Sequence, residues 1–185
     1  MRKSQSEILC FTPAKIRKFS NYFDMPRANK ISADCKALPI DSSFLDVSFD
    51  WFQDQEFSSL MMAPKITRDS HREWFESLPY RQDYKIWGVA YCDSWVGACG
   101  IKNIDLAKKT GEYWGYIGHV GFRRKGIGSW MLGHIERNAL QIGLQYLTLK
   151  VLKTNKAAIA LYKNFKYKEK FETDTIIEME KSLNE

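Results

Sequence analysis

The sequence predicts an α/β domain built on a mixed sheet, and three observations carry that reading. The hydrophobic period changes within one stretch. Residues 112–120 are aromatic and β-rich, whereas Ile127, Met131, Ile135, Ala139 and Ile142 recur every three or four residues, as on one face of a helix. Two apolar, aromatic runs, 84–91 and 95–104, flank the short turn Cys92-Asp93-Ser94 and read as a hairpin. A further strand-like run, 144–151, follows the helix. Three antiparallel strands feeding a strand–turn–helix–strand unit give a mixed sheet.

The remaining elements follow in chain order. Residues 1–30 carry no motif and are set apart as an N-terminal extension; 7–11 suit a short strand, and Ile16, Phe19 and Phe23 have helical spacing. A single domain then spans 31–185. Residues 37–40 close its first strand. Asp41 or Ser42 caps a helix through Phe44, Val47, Trp51 and Phe52. Residues 53–79 are polar and aromatic. In them Asp69 or Ser70 caps a helix with His71, Trp74, Phe75 and Leu78 on one side, ended by Pro79. His71 reads as a surface position. After the strand at 144–151, Asn155 caps a helix beginning near Lys156, and 167–172 with 175–181 form a final hairpin.

Composition narrows the function classes. A chain of 185 residues, 44% hydrophobic and 14% aromatic, has the balance of a globular protein that buries a substantial core. The net charge of +6 comes without a long Lys/Arg block or an aromatic–basic repeat, which argues against a nucleic-acid partner. A phosphate-bearing ligand explains part of the excess equally well. Cys10, Cys35, Cys92 and Cys99 show no Cys-x-x-Cys spacing, so neither zinc nor a disulfide framework is expected, and free thiols suit a cytoplasmic setting. No apolar run has the length of a signal peptide or a membrane span.

The chemistry concentrates between strand and helix, in Val-Gly-Phe-Arg-Arg-Lys-Gly-Ile-Gly-Ser-Trp-Met-Leu at 120–132. A helix start leaves backbone N–H groups unpaired. Those donors, the helix dipole and Arg123, Arg124 and Lys125 suit an anion, above all a phosphate. Gly126 and Gly128 let a ligand approach the backbone. The loop lacks the spacing of a nucleotide-triphosphate loop, and Ser129 and Met131 stand where a dinucleotide fingerprint has its third glycine. A solvated basic turn is the competing reading, and the loop alone does not choose between them.

Two motifs together do. Arg123-Arg124-Lys125-Gly126-Ile127-Gly128 resembles the Arg/Gln-x-x-Gly-x-Gly/Ala signature of the GNAT superfamily of acetyl-CoA-dependent N-acetyltransferases. Residues 155–165, Asn-Lys-Ala-Ala-Ile-Ala-Leu-Tyr-Lys-Asn-Phe, are similar to its Asn-x-x-Ala-x-x-Leu-Tyr block, with one strand between the two. The resemblance covers roughly residues 51–181. It implies a mostly antiparallel sheet of six to seven strands, splayed at the cofactor site and flanked by about four helices. It implies acetyl-CoA as cosubstrate, no metal, and direct transfer to a primary amine. By the same resemblance Arg123, Arg124, Lys125, Gly126, Ile127, Gly128, Ser129 and Asn155 bind the cofactor. The backbone of Tyr116, Ile117 and Gly118 pairs with its pantetheine arm, with Gly115 and Gly118 placed for a bulge or close approach.

Tyr162 falls where the family has a tyrosine near the thioester sulfur; read alone, it is a tyrosine on a buried helix face. Glu112 is the candidate base, with a solvated strand-start carboxylate as the alternative, and His119 is a further candidate. Asn164-Phe165-Lys166 departs from the family's Gly-Phe, and of the two polar residues Asn164 tolerates a left-handed helix end better. Trp51-Phe52-Gln53-Asp54 followed by Ser70-His71-Arg72-Glu73-Trp74-Phe75 resembles a subgroup acetylating ribosomal proteins or nucleotide-linked amino sugars. There this helical pair borders the acceptor; the alternative for Trp51, Trp74 and Phe75 is core packing. A nucleotide-linked amino sugar of bacterial surface-glycan synthesis is the preferred acceptor, ahead of a protein N-terminal amine and of an aminoglycoside or polyamine. A CoA-binding module without catalysis is the reading of another class. Monomer and homodimer are both compatible with the sequence.

Overall fold

A computed structural model describes residues 34–63 and 65–184. The N-terminal extension assigned to residues 1–30 lies outside them. Strand β1 (Cys35–Leu38) is followed by α1 (Ser42–Phe52), α2 (Gln55–Leu60) and α3 (Arg68–Ser77). Then come β2 (Lys85–Tyr91), β3 (Ser94–Asp105), β4 (Thr110–Ile117) and α4 (Ile127–Gln141). The order closes with β5 (Tyr146–Leu152), α5 (Lys156–Asn164), β6 (Lys168–Glu172) and β7 (Ile176–Ser182). The seven strands form one sheet in the order β1-β2-β3-β4-β5-β7-β6.

Every neighbouring pair is antiparallel except β4 and β5, which run parallel. That exception positions the site. β4 and β5 pair only from Thr110–Tyr146 to Glu112–Thr148. β4 nevertheless continues to Ile117 against β3. Past Glu112, one edge of β4 therefore faces no strand among the described residues, and the sheet splays as expected.

Side-chain alternation sorts the two faces. α4 buries Ile127, Met131, Leu132, Ile135 and Ala139 against Leu147, Leu149 and Val151 of β5 and Tyr113 of β4. Each large apolar side chain so buried contributes roughly 1.5–3 kcal/mol. On the other face Phe44, Phe57, Ala90, Trp95, Ala98 and Tyr116 form a second cluster. With both faces covered, β3 is buried continuously over residues 94–101, so its sequence is apolar rather than alternating.

The helix starts are specified by short polar side chains. Asp41 accepts from the Phe44 amide at 3.0 Å and caps α1 as expected. Asn155 accepts from the Ala158 amide at 3.1 Å and caps α5. The cap of α3 is Thr67, in a reciprocal capping box with Ser70, rather than Asp69 or Ser70. α2 was not expected from the sequence, which brings the described α-helices to five. Its six residues are too few to show a period, and the Asp54 carboxylate starts it by accepting from the Phe57 amide at 2.8 Å.

Four further expectations are corrected. β4 ends at Ile117, and Val120–Phe122 is a 3-10 turn rather than strand. Gly115 sits in regular register opposite Cys99; the irregularities lie between Val89 and Ala90, between Lys102 and Asp105, and between Glu169 and Phe171. The left-handed residue after α5 is Lys166, at φ +70°, and not Asn164, which ends the helix. His71 is buried, because α3 packs that side onto α1: its Nε2 lies 2.8 Å from Ser48 Oγ and its ring stacks on Trp74.

Candidate active site

The parting of β4 from β5 opens a cleft of about 440 Å³. Tyr113 and Gly115 of β4, Met131 of α4 and Tyr162 of α5 line its inner part. Asn155, Ala157, Ala158 and Leu161 line one side, and Arg123, Arg124, Gly126, Gly128 and Ser129 line the loop end. Phe57, Leu60 and Met61, at and just beyond α2, complete it with Tyr116 and Ile117. No Asp or Glu lies among these described lining residues.

The loop end is built for an anion. Gly126 starts α4 in the left-handed region, at φ +90°, and a Cβ there would meet nothing within 4 Å. Among the described residues no side chain caps α4, so its first-turn amides keep their donors for a ligand. Arg124 also takes a positive φ, of 60°, which for a side chain other than glycine costs about 1–2 kcal/mol. Arg123 Nε donates to the Ile117 carbonyl at 3.2 Å, and its guanidinium lies 5.8 Å from the Phe57 ring centroid. Arg123 thus ties the loop to the end of β4 and occupies a carbonyl that the resemblance assigns to the pantetheine arm.

Not every expected site residue faces the cleft. Ile127 is fully buried in the core, so only its backbone serves the loop. Lys125 lies outside the lining, with its ammonium 6.0 Å from the Phe122 ring centroid. Gly118 is covered by Trp51: a Cβ there would sit 2.0 Å from the indole. Trp51 also packs edge-on against Phe44 and Tyr116, and Trp74 stacks on His71, so both are packing residues and neither lines the cleft. It is α2, not the α1–α3 pair, that borders the opening. The final hairpin lies at the far edge of the sheet and contributes nothing to the lining.

Glu112 stands at the last β4–β5 pair, outside the lining. Lys102 Nζ lies 3.0 Å from one of its oxygens, and Asn103 Nδ2 donates to the other at 3.0 Å. His119 also lies outside; its ring meets Phe122 edge-on, and burial lowers its pKa. Tyr162 is in the cleft, and burial pushes its phenol up to about 12. It is therefore a neutral O–H donor throughout the physiological range.

A splayed sheet, an open glycine-bearing helix start and a buried tyrosine on the next helix occur together here. The model of the acetyltransferase (GNAT) family matches residues 47–167, well over half of the chain. The chain belongs to the GNAT acetyltransferase family. Its fold is shared with solved N-acetyltransferases. A spermidine N-acetyltransferase from Vibrio cholerae, in complex with CoA and spermine, is 13% identical with a TM-score of 0.75, over 82% of this chain and 97% of that one. Campylobacter jejuni N-acetyltransferase PseH, in complex with acetyl coenzyme A, is 18% identical with a TM-score of 0.63, over 80% and 98%. An N-acetyltransferase from Staphylococcus aureus Mu50 is 20% identical with a TM-score of 0.68, over 80% and 98%. No curated protein matches the sequence.

As a GNAT enzyme the protein is an acetyl-CoA-dependent N-acetyltransferase. The open Gly126, the uncapped start of α4 and the two arginines fit the diphosphate of that cosubstrate. No group of described residues is arranged to hold a metal ion, and no described helix is long and apolar enough to cross a membrane.

Proposed function

We propose that the enzyme acetylates the primary amine of a nucleotide-linked amino sugar. The observation that carries this reading is the charge of the cleft: two arginines line it and, among the described residues, no carboxylate does. A polyamine brings several positive charges and finds no counter-ion in such a lining. A nucleotide-linked sugar brings negative phosphates and meets no carboxylate in that lining.

Arg123, Arg124 and Lys125, with the amides of Gly126, Ile127, Gly128 and Ser129, hold the diphosphate of the cosubstrate. Backbone groups of Tyr116, Ile117 and Gly118 and the Asn155 side chain hold its arm. Acetyl-CoA, when bound, supplies an acyl group activated as a thioester. Tyr162 donates its proton to the departing sulfur, a task suited to a phenol kept neutral by burial. Glu112 is the proposed base and works through intervening water, since it stands outside the lining.

The test is release of free thiol from acetyl-CoA across a panel of amino-sugar nucleotides, N-terminal peptides, polyamines and aminoglycosides. The expected result is kcat/KM highest for an amino-sugar nucleotide and lowest for spermidine. Fast turnover of spermidine overturns the proposed acceptor.

A further inference from the structure

The geometry points to Tyr113 as a second hydroxyl of the transfer site, one that positions the cofactor arm by donating to a carbonyl oxygen of it. The inference rests on acetyl-CoA occupying the cleft between β4 and β5. Tyr113 is the first β4 residue beyond the Glu112–Thr148 pair, so it begins the stretch whose edge β5 has left open. Its side chain is 4% exposed yet lines the cleft. The phenol folds along the strand, and its hydroxyl ends over Gly115, where a Cβ would lie only 2.6 Å away. The Tyr162 ring stands edge-on to it at 6.1 Å between centroids.

The surroundings say what this hydroxyl is for. Between the arginines at the loop and Tyr162, the neighbouring lining is Gly115, Met131, Ala157, Ala158 and Leu161, none of which offers a polar side chain. Asn155 is the other polar residue there; its oxygen accepts from the Ala158 amide, and its NH2 group is a separate donor beside Tyr113. The pantetheine arm carries amide groups into this apolar passage, and an amide buried without a partner is costly. Tyr113 supplies a donor at that point. Burial raises its pKa well above the ordinary value, so the proton is always present. The bare Gly115 is what leaves room for the hydroxyl to reach the cleft.

Two variants test this. Y113F removes the oxygen and keeps the ring, and G115A pushes a methyl group into the hydroxyl's place. Calorimetric titration with CoA, which needs no turnover, is expected to show about 5-fold weaker binding for Y113F, the size of one lost hydrogen bond. KM for acetyl-CoA rises in the same proportion and kcat falls less. Y162F shows the opposite split, with kcat falling and CoA affinity changing little. Should Y113F not fold, a comparable loss of CoA affinity in G115A supports the assignment. CoA binding at wild-type strength in either folded variant overturns it. Wild-type protein that binds CoA but prefers spermidine to amino-sugar nucleotides defeats the proposed acceptor instead, and the Y113F comparison then still decides the role of Tyr113.

Discussion

Tyr162 and Glu112 flank the opening of the sheet in different states. The phenol is buried in the cleft with its pKa raised, whereas the carboxylate is tied to Lys102 and Asn103 outside it. Replacing Tyr162 with Phe keeps the packing and removes the proton donor. Its kcat is expected to fall on the order of a hundredfold, the usual contribution of a positioned acid, with the melting temperature nearly unchanged. A drop smaller than twofold would show that water protonates the thiolate. Glu112→Gln separates base from scaffold: a base gives at least about a tenfold loss of kcat with CoA affinity unchanged. An unchanged kcat leaves Glu112 as a cross-strand partner of Lys102 only. Tyr162 was legible because it belongs to a motif. Tyr113, Phe57, Leu60 and Met61 were not, because they reach the cleft through the twist of β4 and the placement of α2, which no spacing encodes. His71 was misread for a related reason: exposure is decided by the neighbour across the helix joint, here Ser48.

At the level of elements, the sequence specified what local chemistry controls. The period change from β4 to α4, the hairpin of β2 and β3, and the caps at Asp41 and Asn155 all appear where residue type demands them. What it left open were tertiary fits, and the contact between α1 and β4 is the clearest. Gly118 lies beneath the Trp51 indole, with no room for one more carbon. The sequence marks Gly118 for a bulge or a close approach, and on its Cα side the group that approaches is a tryptophan. Gly118→Ala must therefore push α1 away from the sheet. Such overpacking costs about 1–3 kcal/mol, and thermal unfolding should report it as a clearly lowered midpoint. Since the same contact holds Tyr116 at the cleft, weaker CoA binding should accompany the loss. A variant as stable as the parent would mean that Trp51 swings clear without penalty. Asn155→Ala offers a smaller comparison, with about 1 kcal/mol lost from the cap of α5.

Across the whole molecule, the histidines set how stability responds to pH. His71, His119 and His134 all have lowered pKa values, burial being the largest cause for each. In the unfolded chain each takes up its proton near the ordinary value of 6.5. Between that value and its lower folded value, the unfolded state binds more protons than the folded state, so stability falls as pH falls. The loss begins near pH 6.5 and stops once the folded histidines protonate. Asp83, Asp105 and Glu169 have lowered pKa values, each first through a hydrogen bond to a neighbour, so their contribution is lost only at lower pH, from about 4 downward. Urea midpoints should accordingly hold between pH 8 and 7, decline as pH falls below 6.5, and decline again below about 4. His71→Gln isolates the joint between α1 and α3. It keeps a side chain able to bond Ser48 but has no proton to gain, so the decline below pH 6.5 should become shallower. Parallel curves for the variant and its parent would assign the acid sensitivity to His119 and His134, and would mean that the α1–α3 joint accommodates a charged imidazole without opening.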